Sequence, residues 1–180
     1  MGRDAMTADA GDLLRHIRDV PDFPSPGIVF KDITPLLNNS DALAGCTSLL
    51  AAQARDFGAT RIAGVESRGF IFGSLVAQQL GVGFVPVRKP GKLPCDTVGV
   101  DYELEYGTDR VEVHLDAFGP DDVVVVIDDV LATGGTAAAT AGLVERTGAR
   151  LGGLAFLLEI GPLGGRERLA AYQTSALITC

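Results

Sequence analysis

The chain is short of positive charge and of cysteine, and it has no long apolar run. Of its 180 residues, 15 are Lys or Arg and 23 are Asp or Glu, giving a formal net charge of −8 and a pI of about 4.6. Binding along a nucleic acid or an anionic membrane surface needs a basic face, which this balance argues against. Any anionic ligand must instead be held by a local cluster of donors. The 3 cysteines are odd in number and widely spaced (Cys46, Cys95, Cys180), which points away from a disulfide framework or a zinc site and toward a reducing compartment. The 2 histidines, His16 and His114, have no partner spacing for a metal or a triad and are read as structural. No apolar run approaches the ~20 residues of a membrane span. The charged N-terminus has no apolar core of a secretory signal, so a cytoplasmic setting is expected. Two nucleotide signatures are also missing: neither GxxxxGK[ST] nor GxGxxG after a strand occurs.

What is present centres on Val123 to Thr136, VVVVIDDVLATGGT. Five β-branched residues in a row fit a strand buried on both faces, as in a parallel sheet. Two carboxylates, Asp128 and Asp129, follow the run. After two apolar residues comes Ala132-Thr133-Gly134-Gly135-Thr136, then an Ala-rich helical stretch, Ala137 to Arg146. Open α/β sheets bind ligands at the C-terminal ends of their strands. Free backbone N–H groups at a helix N-terminus suit an anion there. Ionised carboxylates would repel that anion unless they accept hydrogen bonds from hydroxyls. Turn N–H groups for a phosphate, with acids for a vicinal diol, describe a ribose 5-phosphate site.

The rest of the chain repeats this logic. Thr7 to Val20 is predicted as an amphipathic helix capped by Asp9, ended by Pro21. Pro21 to Leu37 is Pro-rich and reads as an irregular connection, with an odd apolar triplet Ile28-Val29-Phe30 that either packs on the core or covers a ligand. Asn39 to Phe57 is a helix capped by Asn39 or Ser40. Arg61 to Val65 is a buried strand leading through Glu66-Ser67-Arg68-Gly69 into a helix, Phe70 to Leu80. Gly83 to Val87 is a strand followed by the basic loop Arg88-Lys89-Pro90-Gly91-Lys92. Val98 to Leu115 alternates around Gly107-Thr108-Asp109 and is predicted as a polar, flexible hairpin outside the core. Arg150 to Glu159 and Ser175 to Thr179 are further strands. With no repeats, the βα alternation predicts one α/β domain over residues 1–180, in three layers, with a mostly parallel sheet flanked by helices.

VVVVIDDVLATGGT resembles the donor-binding motif of type I phosphoribosyltransferases, which use 5-phosphoribosyl 1-pyrophosphate (PRPP). PDFPSPGIVFKDITPLL, ESRGFIFG, RKPGKLP, LEYG and GGRERL resemble, in order and spacing, the members that act on adenine. The resemblance covers about Ile17 to Tyr172. It implies the type I phosphoribosyltransferase fold, with an N-terminal hood over residues 1–37 and a flexible hairpin over 95–115. It also implies transfer of the phosphoribosyl group from PRPP to adenine with Mg²⁺ as cofactor, carried largely by PRPP oxygens and water, in a homodimer. By the same resemblance, Ala132, Thr133, Gly134, Gly135 and Thr136 hold the 5′-phosphate, and Asp128 and Asp129 the ribose hydroxyls. Arg68, Arg88, Lys89 and Lys92 serve pyrophosphate. Val29, Phe30, Lys31 and Leu131 serve adenine. Glu105 takes the purine proton, and Tyr106 helps close the loop. Guanine, xanthine or orotate remain alternative bases, and a PRPP- or purine-sensing regulator is the alternative class. Such a regulator needs a DNA-binding module, for which no basic segment is visible.

Overall fold

The computed structural model describes residues 10–103 and 107–180. It forms two compact units, Met1–Leu49 and Leu50–Cys180.

The first unit contains α1 (Ala10–Leu14), an antiparallel pair of β1 (Arg18–Pro21) with β2 (Val29–Asp32), α2 (Thr34–Leu37), and the first part of α3 (Ser40–Asp56). Asn39 Oδ1 accepts from the N–H groups of Asp41 and Ala42, the expected cap. Two predictions fail here. The helix expected to Val20 stops at Leu14, because Arg18 to Pro21 is taken up by pairing with Val29 to Asp32. The Pro-rich segment is therefore not wholly irregular. Its pairing is reinforced by ion pairs from Arg18 Nη2 to Asp32 Oδ2 at 2.5 Å and from Lys31 Nζ to Asp19 Oδ1 at 2.7 Å. The N–H of Thr34, then the Arg18 guanidinium, hold the Asp32 carboxyl down to about 2.

The second unit is built on a five-stranded sheet in the order β4-β3-β7-β8-β9. These strands are β3 (Arg61–Val65), β4 (Gly83–Val87), β7 (Val123–Leu131), β8 (Arg150–Glu159) and β9 (Thr174–Thr179), and every pairing is parallel. Helices α4 (Gly69–Leu80) and α5 (Gly135–Arg146) flank it. β7 lies at the centre, with Val124 to Ile127 buried, as the apolar run predicts. The strand does not stop at the acids. It continues to Leu131, because Asp128, Val130 and Leu131 keep their register with Phe156, Leu158 and Glu159 of β8.

Strands β5 (Thr97–Glu103) and β6 (Thr108–His114) form the expected hairpin. Thr108 and Asp109 belong to β6 and not to its turn, since they pair with Glu103 and Tyr102. Nor is the hairpin outside the core. Tyr102, Val111 and Val113 are buried in the cluster formed by β7, β8 and α5 residues. Its charged residues mask this inward face: Arg110 bridges Asp101 across the strands and Glu112 on its own strand. A short helix, α6 (Gly165–Arg168), follows β8.

Candidate active site

Parallel pairing of β3 with β7 sets Gly64 beside Ile127, so the loop leaving β3 arrives next to the acids leaving β7. Arg68 Nε lies 2.7 Å from Asp129 Oδ2. Gly69 opens α4 directly over Asp128: a side chain there would meet Asp128 Oδ1 and the Ile127 carbonyl, both at 2.8 Å. Arg68 and the acid pair, separated by sixty residues of chain, therefore form one cluster.

The two carboxylates share Arg68 as a nearby cation; Asp129 is buried and Asp128 partly buried. Burial, then the charge of Asp129, pushes Asp128 well above the usual carboxylate range. Burial also raises Asp129, against the opposing pull of Arg68. Asp128 Oδ1 accepts the N–H of Asp129 at 2.9 Å. Asp129 Oδ2 is buried and receives no well-aligned hydrogen bond among the described residues, although Arg68 sits close by. No group of three or more His, Cys, Asp or Glu side chains is placed to hold a metal among the described residues.

The turn from Ala132 to Thr136, expected to hold a phosphate, is shaped by its glycines. Gly134 has φ +77°, a left-handed conformation, and serves as the N-cap of α5. Thr133 is exposed, whereas Gly134 and Gly135 are buried. A second glycine turn backs the first. Any side chain on Gly165 would collide with the Ala132 carbonyl and with Leu131 Cδ1, and one on Gly134 would stand 2.8 Å from the Gly165 carbonyl. This explains the GGRERL segment, to which no role attached at first. Arg166 fixes the segment by donating Nε to Glu159 Oε1 at 2.9 Å and Nη1 to the Thr174 carbonyl at 2.9 Å. Leu131, expected at the purine, is buried against Gly165.

The basic loop is organised by a residue that sequence reasoning passed over. Glu66 accepts from the Lys89 N–H at 2.9 Å and from Arg88 Nε at 3.3 Å. The Lys89 N–H, then the Arg88 guanidinium, hold its carboxyl below the usual range. Arg88 Nη1 also donates to the Lys92 carbonyl at 3.0 Å. Arg88 and Glu112 exchange backbone hydrogen bonds at 2.9 and 2.8 Å, tying the basic loop to β6. At the tip end of the hairpin, Lys89 pairs with Asp109. Its ammonium donates to Tyr102 Oη at 2.8 Å, and Thr136 Oγ1 reaches the same oxygen at 3.1 Å. Only the polar character of ESRG hinted at Glu66. Nothing local marked Tyr102 or Asp109.

Glu105 and Tyr106 lie outside the described residues. Val29, Phe30 and Lys31 lie in the first unit on β2, where Val29 is 49% exposed and Phe30 stacks edge-on with Phe23 at 5.2 Å.

A family model for the phosphoribosyl transferase domain matches residues 32–171. The adenine phosphoribosyltransferase of Francisella tularensis subsp. holarctica is 57% identical over 164 residues, covering 90% of this chain and 94% of that protein. The crystal structure of the Thermoanaerobacter pseudethanolicus adenine phosphoribosyltransferase superposes with a TM-score of 0.92 at 47% identity, covering 95% of this chain and 99% of the other. That of Trypanosoma brucei, solved with AMP, pyrophosphate and ribose-5-phosphate, superposes at 0.85 with 26% identity, covering 99% and 82%. A central parallel sheet whose middle strand ends in an acid pair and a glycine turn, with these relatives spanning nearly its whole length, places the chain in the phosphoribosyltransferase family, among the adenine phosphoribosyltransferases.

Proposed function

We propose that the chain transfers the 5-phosphoribosyl group from PRPP to adenine, giving AMP and pyrophosphate, a purine-salvage reaction. The observation that carries this reading is the β7 end: an acid pair, Asp129 buried and Asp128 partly so, beside Arg68, followed by a glycine turn at the head of α5 that no side chain caps. In the reaction a ring nitrogen of adenine bonds to C1′ as the C1′–oxygen bond to pyrophosphate breaks. The sugar passes through an oxocarbenium-like state, comparable to glycoside cleavage. Ala132 to Thr136 hold the 5′-phosphate, and Asp128 and Asp129 engage the ribose hydroxyls. Their negative charge also favours the cationic sugar. Arg68, Arg88, Lys89 and Lys92 neutralise the leaving pyrophosphate. Val29, Phe30, Lys31 and Leu131 serve adenine, and Glu105 accepts the purine proton while Tyr106 helps exclude water.

Mg²⁺ fits a site lined by the carboxylates of Asp128 and Asp129: held largely through PRPP oxygens and water, it would add positive charge at the pyrophosphate. The enzyme acts as a cytoplasmic homodimer. No helix among the described residues is long and apolar enough to cross a membrane. The test is an assay of each base in turn with PRPP and Mg²⁺. Adenine is expected to yield AMP and pyrophosphate in preference to guanine, xanthine or orotate. Turnover of another base with none of adenine would refute the base assignment.

A further inference from the structure

The hydrogen bonds around Tyr102 account for donors that phosphates would need. Tyr102 Oη donates to Asp109 Oδ2 at 3.0 Å and accepts from Lys89 Nζ at 2.8 Å and from Thr136 Oγ1 at 3.1 Å. A threonine hydroxyl has one proton to give, and a phosphate oxygen only accepts. While the Thr136 hydroxyl is turned to Tyr102, it cannot donate to a phosphate at the head of α5. Lys89 is engaged in the same way. Two of its three protons go to Tyr102 and Asp109, its charge is matched by the Asp109 carboxylate, and its ammonium lies 5.3 Å from the centre of the Tyr102 ring.

One strand pair thus presents an anion to the basic loop and a hydroxyl to the phosphate turn. Asp109 and Tyr102 are direct cross-strand partners, so the two contacts move together. They are also separable from the attachment of the hairpin itself. The Arg88–Glu112 backbone pair and the buried Val111 and Val113 hold the hairpin nearer its base. The side-chain cluster secures only its tip end.

We propose that Tyr102 and Asp109 set the affinity for PRPP by occupying, in the free enzyme, the donors Lys89 and Thr136 that its pyrophosphate and 5′-phosphate take up. This rests on the donor-site reading given above. Binding of PRPP exchanges Asp109 for a pyrophosphate oxygen and Tyr102 for a 5′-phosphate oxygen, and so releases the hairpin tip from the basic loop. Asp109 is an acceptor standing in for the substrate, and its removal strengthens substrate binding. A merely structural residue would have the opposite effect.

The test is calorimetric titration of the full chain with Mg²⁺-PRPP in the absence of adenine. Asp109→Ala is expected to lower Kd about five- to tenfold, the scale of one or two hydrogen bonds no longer in competition. Tyr102→Phe keeps the buried ring and removes only the hydroxyl. It is expected to lower Kd about two- to fivefold, and to tighten ribose 5-phosphate binding as well. Wild-type protein with no affinity for PRPP would overturn the donor reading and this inference together. Wild-type binding with unchanged or weaker binding by both variants would overturn this inference alone.

Discussion

The glycine turn after β7 and the β5–β6 hairpin meet at Thr136 and Tyr102 but are made by different means. The turn from Ala132 to Thr136 offers backbone N–H groups, and its shape comes from Gly134 at φ +77° and from the second turn at Gly165 behind it. Its one side-chain donor in these contacts, the Thr136 hydroxyl, is turned to Tyr102 Oη. The hairpin works through side chains: Tyr102 and Asp109 reach Lys89 and Thr136, and Arg110 ties its two strands. A backbone site depends on a few positions where no side chain fits. A side-chain site depends on partners brought from far along the chain. Substitutions should therefore act through shape in the turn and through chemistry in the hairpin.

The largest effect is expected at the hairpin. Glu105→Leu should lower turnover by about 10²-fold or more with little change in PRPP affinity, if proton transfer resides there. A wild-type rate in steady-state assays would remove catalysis from the hairpin side of the comparison. At the end of β7, Asp129→Asn should weaken PRPP binding by on the order of 1.5–3 kcal/mol while the fold survives, and titration with PRPP checks it. Unchanged affinity would leave the acid pair without its ribose role. Gly165→Ala should act on shape alone, destabilising the protein by about 1–3 kcal/mol as its methyl meets the Ala132 carbonyl and Leu131. Thermal unfolding reads this directly, and an unaltered Tm would show that the turn yields. The smallest effect has the opposite sign. Asp128 has its folded pKa raised, so the unfolded chain ionises first as pH rises and the folded state loses ground above the ordinary carboxylate pKa of 3.8. Asp128→Asn should raise Tm near neutral pH by roughly 2–4 °C, about 1 kcal/mol, and the gain should vanish below about pH 4. A gain that persists at low pH would point to packing and not to charge. Stability gained there at the expense of PRPP binding would mark the acid as kept for its chemistry.

The same contrast governs what could be read from the sequence. Val123 to Ile127, the acids and the glycine turn are contiguous, so strand, turn and helix followed from one short stretch. The remaining parallel strands were legible for the same reason. β1 and β2 were not, because their pairing depends on cross-strand partners such as Arg18 and Asp32, while their prolines signal irregular chain. The burial of the hairpin was hidden by Asp101, Arg110 and Glu112 on its strands. Glu66 acts on a loop 23 residues away and Lys89 on Asp109 20 residues away, and no spacing rule announces contacts of that kind. The glycines of GGRERL were visible, but their purpose required seeing Ala132 and Leu131 beneath them.

The Arg88–Glu112 pair also gives the hairpin a fulcrum. Two backbone hydrogen bonds join the basic loop to β6 at a single point, and from Glu112 to Thr108 the strand runs four residues further toward the tip. At ~3.3 Å per residue that arm is about 13 Å long. A tilt of about 10° at the pair would carry the tip about 2 Å, most of a hydrogen-bond length. Small adjustments of the basic loop around an anion would thus be magnified at the Glu103–Thr108 pair, converting a change in charge at one end of the arm into travel at the other.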